Sequence, residues 1–143
     1  MEIKNSVIAI TGAAQGLGFA MAQSLADAGA NIALLDMQED AVSKAAEELT
    51  SKGIDAQGFA VNVTDEEAVE AAFDKIIGHY GKLNGLINCA GIMRDGMLLK
   101  VKEGKVVDKM SKQQFQSVID VNITGTFLLS LIHISEPTRL RSI

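Results

Sequence analysis

The sequence predicts an α/β fold: a Rossmann-type, doubly wound parallel sheet truncated after about four strands. Three observations carry that prediction. Short apolar runs alternate with helix-period segments along the chain. A glycine-rich turn, Thr11-Gly12-Ala13-Ala14-Gln15-Gly16-Leu17-Gly18, joins the first apolar run to the first helical segment. An acid, Asp36, closes the second apolar run. Alternating strands and helices imply a parallel sheet covered on both faces, and right-handed crossovers wind it doubly.

Taken in order, Ser6 to Ile10 reads as the first strand. Gly16 to Ala28 reads as a helix, with Leu17, Ala20, Met21, Leu25 and Ala28 near a helical period on its apolar side. Gly29 stops it. Asn31 to Leu35 is continuous and apolar, as a strand buried on both faces should be. Glu39 to Lys52 is a polar-faced helix ending at Gly53, and Ala56 to Val63 is the third strand. Thr64 is the expected cap of the next helix, which has acids in its first turn and runs to about Tyr80. Leu83 to Ile87 is the fourth strand. The segment Lys100 to Met110, with Lys-Glu-Gly-Lys at its centre, predicts a small hairpin. Ser111 to about Leu128 is a last helix, with Phe115, Val118, Ile119 and Phe127 on its apolar side.

The 143 residues are enough for one domain at most. A hydrophobic share of 48% with 22% charged residues is a normal globular balance. The net charge of −5 argues against nucleic acid as a partner. No stretch is expected to be long and apolar enough to span a membrane. The N-terminus leads directly into the first strand, which leaves no room for a signal peptide. One cysteine, Cys89, permits no intrachain disulfide, and a cytoplasmic, reducing compartment is expected.

Strand, glycine turn and helix together are the context in which such a turn binds a dinucleotide. Glycines let the backbone turn sharply and approach a pyrophosphate closely. The free N–H groups of the helix's first turn then hold the phosphates. Ligands of doubly wound sheets bind at the carboxyl ends of the strands, where the glycine turn, Asp36 and Asn88 converge. Asp36 lies roughly 20 residues beyond the turn. A carboxylate there accepts hydrogen bonds from both adenosine ribose hydroxyls and repels a 2′-phosphate. Its neighbours Gln15 and Met37 are uncharged, so NAD is favoured, with NADP the alternative.

Other positions carry two readings each. Asn62-Val63 reads as a pair contacting adenine or as an ordinary strand-to-helix turn. Asn88-Cys89-Ala90-Gly91 ends the fourth strand with small residues that admit a ligand or another backbone, or is a plain exit to a loop. Cys89 itself reads as a small buried filler rather than a nucleophile, because no His or Lys adjoins it. Asn122 and Gly125 interrupt the last helix and either loosen it or sit blandly on its surface. His79 and His133 are isolated, so no metal site is expected.

These pieces resemble the short-chain dehydrogenase/reductase family, of the compact type. Its Thr-Gly-x-x-x-Gly-x-Gly is matched by Thr11 to Gly18, its Asn-x-Ala-Gly by Asn88, Ala90 and Gly91, and its helix asparagine by Asn122. The resemblance covers Met1 to about Leu128 and implies hydride transfer between a nicotinamide cofactor and a carbonyl or alcohol. It implies that Gly12, Gln15, Gly16, Leu17 and Gly18 line the pyrophosphate and that Asp36 holds the ribose. It further implies that Asn62 and Val63 touch adenine, and that Asn88, Ala90 and Gly91 support the nicotinamide side. Asn122 would belong to the catalytic tetrad, helping to position a water in the proton relay. The full-length protein would be a homo-oligomer. Gly91 to Leu99 is similar to the corresponding segment of 3-oxoacyl-[acyl-carrier-protein] reductases, and Lys100 to Met110 is longer than usual there. Lys100, Lys102, Lys105 and Lys109 would meet an acidic carrier or a CoA phosphate, or form a solvated loop.

The family's Tyr-x-x-x-Lys and upstream Ser have no counterpart. The single tyrosine is Tyr80, with Asn84 where the lysine would stand. The stretch Leu129 to Arg139 resembles a translated adapter of short-read sequencing libraries and holds the only proline, Pro137. The expected organisation is therefore an incomplete dinucleotide-binding domain over 1–128 and a non-native tail over 129–143. Such a piece would be marginally stable, with an apolar edge at the fourth strand. The alternative reading is a non-catalytic dinucleotide-binding or sensor module.

Overall fold

The computed structural model describes residues 2–139; positions 140–143 of the expected tail lie outside the described residues. The chain alternates β1 (Val7–Thr11), α1 (Gly16–Asp27), β2 (Asn31–Asp36), α2 (Glu39–Ser51), β3 (Ala56–Ala60), α3 (Glu66–Tyr80) and β4 (Gly85–Ile87). These strands form one parallel sheet in the order β3-β2-β1-β4. β1 is central and every residue in it is buried. Side chains alternate across its pleat. Ile8 and Ile10 join Ile32, Leu34, Val42 and Leu49 under α1 and α2, while Val7 and Ala9 join Ala33, Leu35, Val69 and Phe73 under α3.

Helix α1 departs from its predicted face. It buries Gly18, Ala22 and Ala26, spaced four apart, and leaves Leu17 71% exposed. The predicted stripe, Leu17, Ala20, Met21 and Leu25, instead lines a shallow apolar groove with Ile87 of β4. The reason is distance: a helix pressed against the turn that precedes it can present only small residues to the sheet.

Two strand ends also move. β3 stops at Ala60, and Val61 to Val63 leave the sheet after the Val61 N–H donates to the Asp36 carbonyl at 2.8 Å. β4 shortens because the Asn84 side chain takes over the role of a strand residue, its Oδ1 accepting from Val7 N–H at 2.9 Å. The cap of α3 is Asp65, not Thr64. Asp65 Oδ1 accepts from the Ala68 N–H at 3.0 Å, while the Thr64 hydroxyl is drawn back to Asn62 Oδ1 at 2.9 Å. Asp65→Ala is expected to lower stability by about 1 kcal/mol, and Thr64→Ala by less, as urea titration of both variants would read.

Beyond β4, β5 (Leu99–Lys102) and β6 (Lys105–Lys109) form the predicted hairpin. Its two-residue turn holds Glu103 at φ 50° and Gly104 at φ 73°. Both values belong to a turn that favours Asn-Gly. Glu103→Asn is therefore expected to stabilise the hairpin by a few tenths of a kcal/mol to about 1 kcal/mol, visible as greater amide protection across the hairpin.

The last helix is continuous: α4 (Lys112–Ile119), a π-helical segment (Asp120–Gly125) and α5 (Thr126–Arg139). It runs on past the predicted end near Leu128. The wider turn of the π segment changes the helix's phase. Phe115 and Phe127, predicted to share the apolar side, are both exposed, and Leu128 and Leu129 are buried instead. The stretch Lys112–His133 is long and apolar enough, by length and composition, to cross a membrane, which corrects the expectation that none was. In this fold Leu129 packs against the α3 side of the sheet.

Candidate functional site at the carboxyl ends of the strands

β1 ends in a buried threonine. Thr11 Oγ1 accepts from the N–H groups of Cys89, at 3.1 Å, and Ala90, at 3.0 Å. The exit of β4 is thereby laid across the glycine turn. Gly12 sits beneath it at φ 63°, and a Cβ there would stand 2.9 Å from Ala90 Cα. One turn into α1, a Cβ on Gly18 would collide with the Gly12 carbonyl oxygen and lie 2.8 Å from its carbon. Both contacts are backbone on backbone, so neither side can yield by changing rotamer. No side chain accepts from the first-turn N–H groups of α1. Those donors point outward from the positive end of the helix dipole.

Asp36 closes the other wall. Its Oδ2 accepts from the Ala14 N–H of the glycine turn at 3.2 Å, and its Oδ1 from the Gln38 N–H at 3.1 Å. Each oxygen keeps lone pairs for a further donor. Between these walls lies a cleft of about 540 Å³, within the usual range for small-ligand sites. It gathers most of the predicted residues: Gly12, Gln15, Leu17 and Gly18 from the turn, Asp36, Asn62 and Val63 from the β2 and β3 ends, and Ala90 and Gly91 from the β4 exit. No lysine or arginine lines it.

Three predicted residues, Gly16, Asn88 and Asn122, are not among those that line the cleft. Gly16 does not line the cleft, though its φ of 59° explains the glycine there. Asn88 turns away and donates through Nδ2 to Ser130 Oγ at 3.2 Å, linking β4 to the last helix. Asn62 Oδ1 accepts from the Thr64 N–H at 3.1 Å, so the pair Asn62-Val63 is at once a turn and a cleft wall. Cys89 is half-buried: it packs against the core, as a filler would, and also lines the cleft. Met37, Gln38, Val61, Ile92 and Val121 also line it. All but Gln38 adjoin a predicted residue in sequence, and Gln38 lies two beyond Asp36. Thr11 had a clearer signal: a hydroxyl ending a fully apolar strand must find partners.

Asn122 lies in the π segment and clamps the β4 exit. Its Oδ1 accepts from the Ile92 N–H at 2.9 Å, and its Nδ2 donates to the Ile92 carbonyl at 3.0 Å. The helix is loosened here into a π turn, and Asn122 itself is exposed on its surface. Gly125 lets Val63 approach, since a Cβ there would meet Val63 Cγ2 at 2.8 Å. Asn122→Leu removes both hydrogen bonds and is expected to cost about 2 kcal/mol, with thermal melting as the check.

Tyr80 is remote from the cleft. Its hydroxyl donates to the Ile32 carbonyl at 3.0 Å, near the amino end of β2. Burial, and secondarily the nearby Asp55 carboxylate, push its pKa far above the ordinary phenol value. A phenol serving acid–base chemistry near neutrality needs the opposite shift.

Comparison with known proteins fits this geometry. The family model described as short chain dehydrogenase matches residues 6–136. A 3-oxoacyl-[acyl-carrier-protein] reductase of Staphylococcus aureus is 33% identical over 142 residues, covering 99% of this chain and 53% of the relative. The apo form of LigD from Sphingobium sp. strain SYK-6 superposes with a TM-score of 0.83 at 31% identity, covering 92% of this chain and 53% of that one. An NAD+-bound xylitol dehydrogenase gives 0.78 at 33% identity, covering 95% and 49%. The chain thus spans about half the length of the relatives it matches. With the glycine turn, the threonine-tied β4 exit and the clamping asparagine all in place, the chain belongs to the short-chain dehydrogenase family.

Proposed function

We propose that the cleft holds a nicotinamide dinucleotide, NAD in preference to NADP, as the cofactor-binding part of an oxidoreductase acting on a carbonyl or alcohol. The observation that carries this reading is Asp36, held over the glycine turn by the Ala14 and Gln38 N–H groups with lone pairs to spare. The residues fit the group: Gly12 and Gly18 let backbone close on backbone around the turn, and both line the cleft. The first-turn N–H groups of α1 would hold its phosphates. Asp36 would accept from the ribose hydroxyls, and no cation lines the cleft to favour a 2′-phosphate. When bound, the group supplies or receives hydride.

The 3-oxoacyl thioester is the proposed substrate class. It is supported by the name of the Staphylococcus relative and by the similar segment Gly91 to Leu99. Protonation of such a substrate is not work for Tyr80, whose hydroxyl is committed to Ile32. That commitment also favours a second reading, a module that binds the dinucleotide without turning over substrate. Titration of the chain with NADH and NADPH, followed by nicotinamide fluorescence, tests the cofactor. NADH is expected to bind at least tenfold more tightly. Absence of NADH binding overturns both readings, and tighter NADPH binding overturns the stated preference. Oxidation of NADH by a 3-oxoacyl thioester in the presence of this chain would eliminate the module.

A further inference from the structure

Of the asparagines in the sequence, one alone is followed by glycine: Asn84-Gly85, at the root of β4. A glycine nitrogen attacks the preceding side-chain amide with no Cβ in its way. Along a strand, successive N–H groups point to opposite edges. The Asn84 N–H points to β1 and donates to the Val7 carbonyl at 2.9 Å. The Gly85 N–H therefore points to the outer edge of β4, where the sheet has no further strand. No ladder bond holds that nitrogen.

The amide it faces is exposed and polarised. Asn84 Oδ1 accepts from the Val7 N–H at 2.9 Å. That donor draws electron density from Cγ and stabilises negative charge that grows on the oxygen when a nucleophile adds. Three other asparagines precede nitrogens that are already committed. The Ser6 N–H, after Asn5, donates to the Ile3 carbonyl at 3.0 Å, and the Ile32 N–H, after Asn31, to the Asp55 carbonyl at 3.0 Å. The Cys89 N–H, after Asn88, donates to Thr11 Oγ1 at 3.1 Å.

We propose that Asn84-Gly85 is a site of self-modification, at which the folded chain deamidates through a cyclic imide. The Gly85 nitrogen gives its proton to solvent and bonds to Asn84 Cγ. The Cγ–Nδ2 bond breaks, and the amide nitrogen takes a proton and leaves as ammonia. Water then opens the imide at either carbonyl. Opening at Cγ leaves an ordinary aspartyl residue, whose carboxylate still accepts from Val7 N–H. Opening at the main-chain carbon leaves an isoaspartyl linkage, which lengthens the main chain by a methylene at the start of β4. That lengthening displaces the pairing of Ile8 with Gly85 and, further along, the ties of Cys89 and Ala90 to Thr11 at the cleft.

The test incubates the full chain at neutral and at mildly alkaline pH. Peptide mapping by mass spectrometry follows the amide-to-acid change, and an isoaspartyl methyltransferase labels the isoaspartyl product. Asn84 is expected to convert several-fold faster than Asn5, Asn31 or Asn88, and faster at the higher pH, because the attacking nitrogen must lose its proton. Gly85→Ala is expected to slow the conversion several-fold; should that variant not fold, Gly85→Ser takes its place with the same expectation. The isoaspartyl fraction, isolated by ion exchange, is expected to melt below the parent and to lose amide protection in β4, while Asn84→Asp melts like the parent. The proposal is overturned if Asn84 keeps its amide in the folded chain while the urea-unfolded chain loses it. It is equally overturned if Asn5, Asn31 or Asn88 converts first, or if the glycine variant converts as fast as the parent. An isoaspartyl fraction that melts like the parent overturns the displacement of β4. None of these outcomes depends on the dinucleotide reading.

Discussion

Gly18→Ala is expected to cost about 3 kcal/mol of stability and to weaken NADH binding by more than tenfold. The added methyl would sit on the Gly12 carbonyl oxygen and 3.1 Å from Ala13 Cα, all of it backbone. Relief requires α1 to shift, and α1 is seated through Ala22 and Ala26, which are 0% and 2% exposed. Either the helix lifts and its first-turn donors leave their place, or the turn itself distorts. Gly16→Ala is the matched control. No atom lies within 4 Å of a Cβ there, so its cost is that of a left-handed alanine, about 1 kcal/mol. Urea titration and NADH titration of the two variants would separate them. A Gly18→Ala protein as stable as its parent would mean that the turn and helix are not packed as described.

Asp36→Ala is expected to lower NADH affinity about a hundredfold and to abolish discrimination against NADPH. Two hydrogen bonds from ribose hydroxyls to an ionised acceptor amount to about 3 kcal/mol together, and each 1.4 kcal/mol is tenfold in affinity. The variant also strands the Ala14 and Gln38 N–H groups, which now donate to the carboxylate, so the turn loosens as well. Asp36→Asn retains one acceptor oxygen and removes the charge. Its NADPH affinity is expected to rise while its NADH affinity falls by a smaller factor. Titrating the three proteins with both dinucleotides decides the matter. Unchanged cofactor preference in Asp36→Ala would place the ribose elsewhere.

The sheet, its order of elements and most of the cleft were legible because they follow from local rules. Apolar runs of strand length, a glycine turn between strand and helix, and an acid at a strand end each state their own purpose. The misreadings share a different cause. Leu17, Met21 and Leu25 follow a helical period, but contact with the glycine turn selects the smaller Ala22 and Ala26 for the buried side. Phe115 and Phe127 are apolar residues of one helical segment, yet they lie twelve positions apart, about 120° round a regular helix, and the π segment between them changes the phase again, leaving both exposed. Thr64 and Asp65 are both good caps, and only the pull of Asn62 on the Thr64 hydroxyl decides between them. Asn88 carries a family motif yet reaches Ser130, far along the chain. Each outcome depends on a tertiary neighbour that no window of sequence contains.

The Asn122–Ile92 clamp joins residues thirty positions apart. Because that bond closes the excursion at its root, the cleft does not register how much chain lies between its two ends. Closing a loop twice as long adds only about 0.6 kcal/mol of entropy cost. Arms of different length or charge can thus be exchanged at this point while the nucleotide cradle stays intact, which makes the interval between Ile92 and Val121 a natural place for grafting a new recognition element.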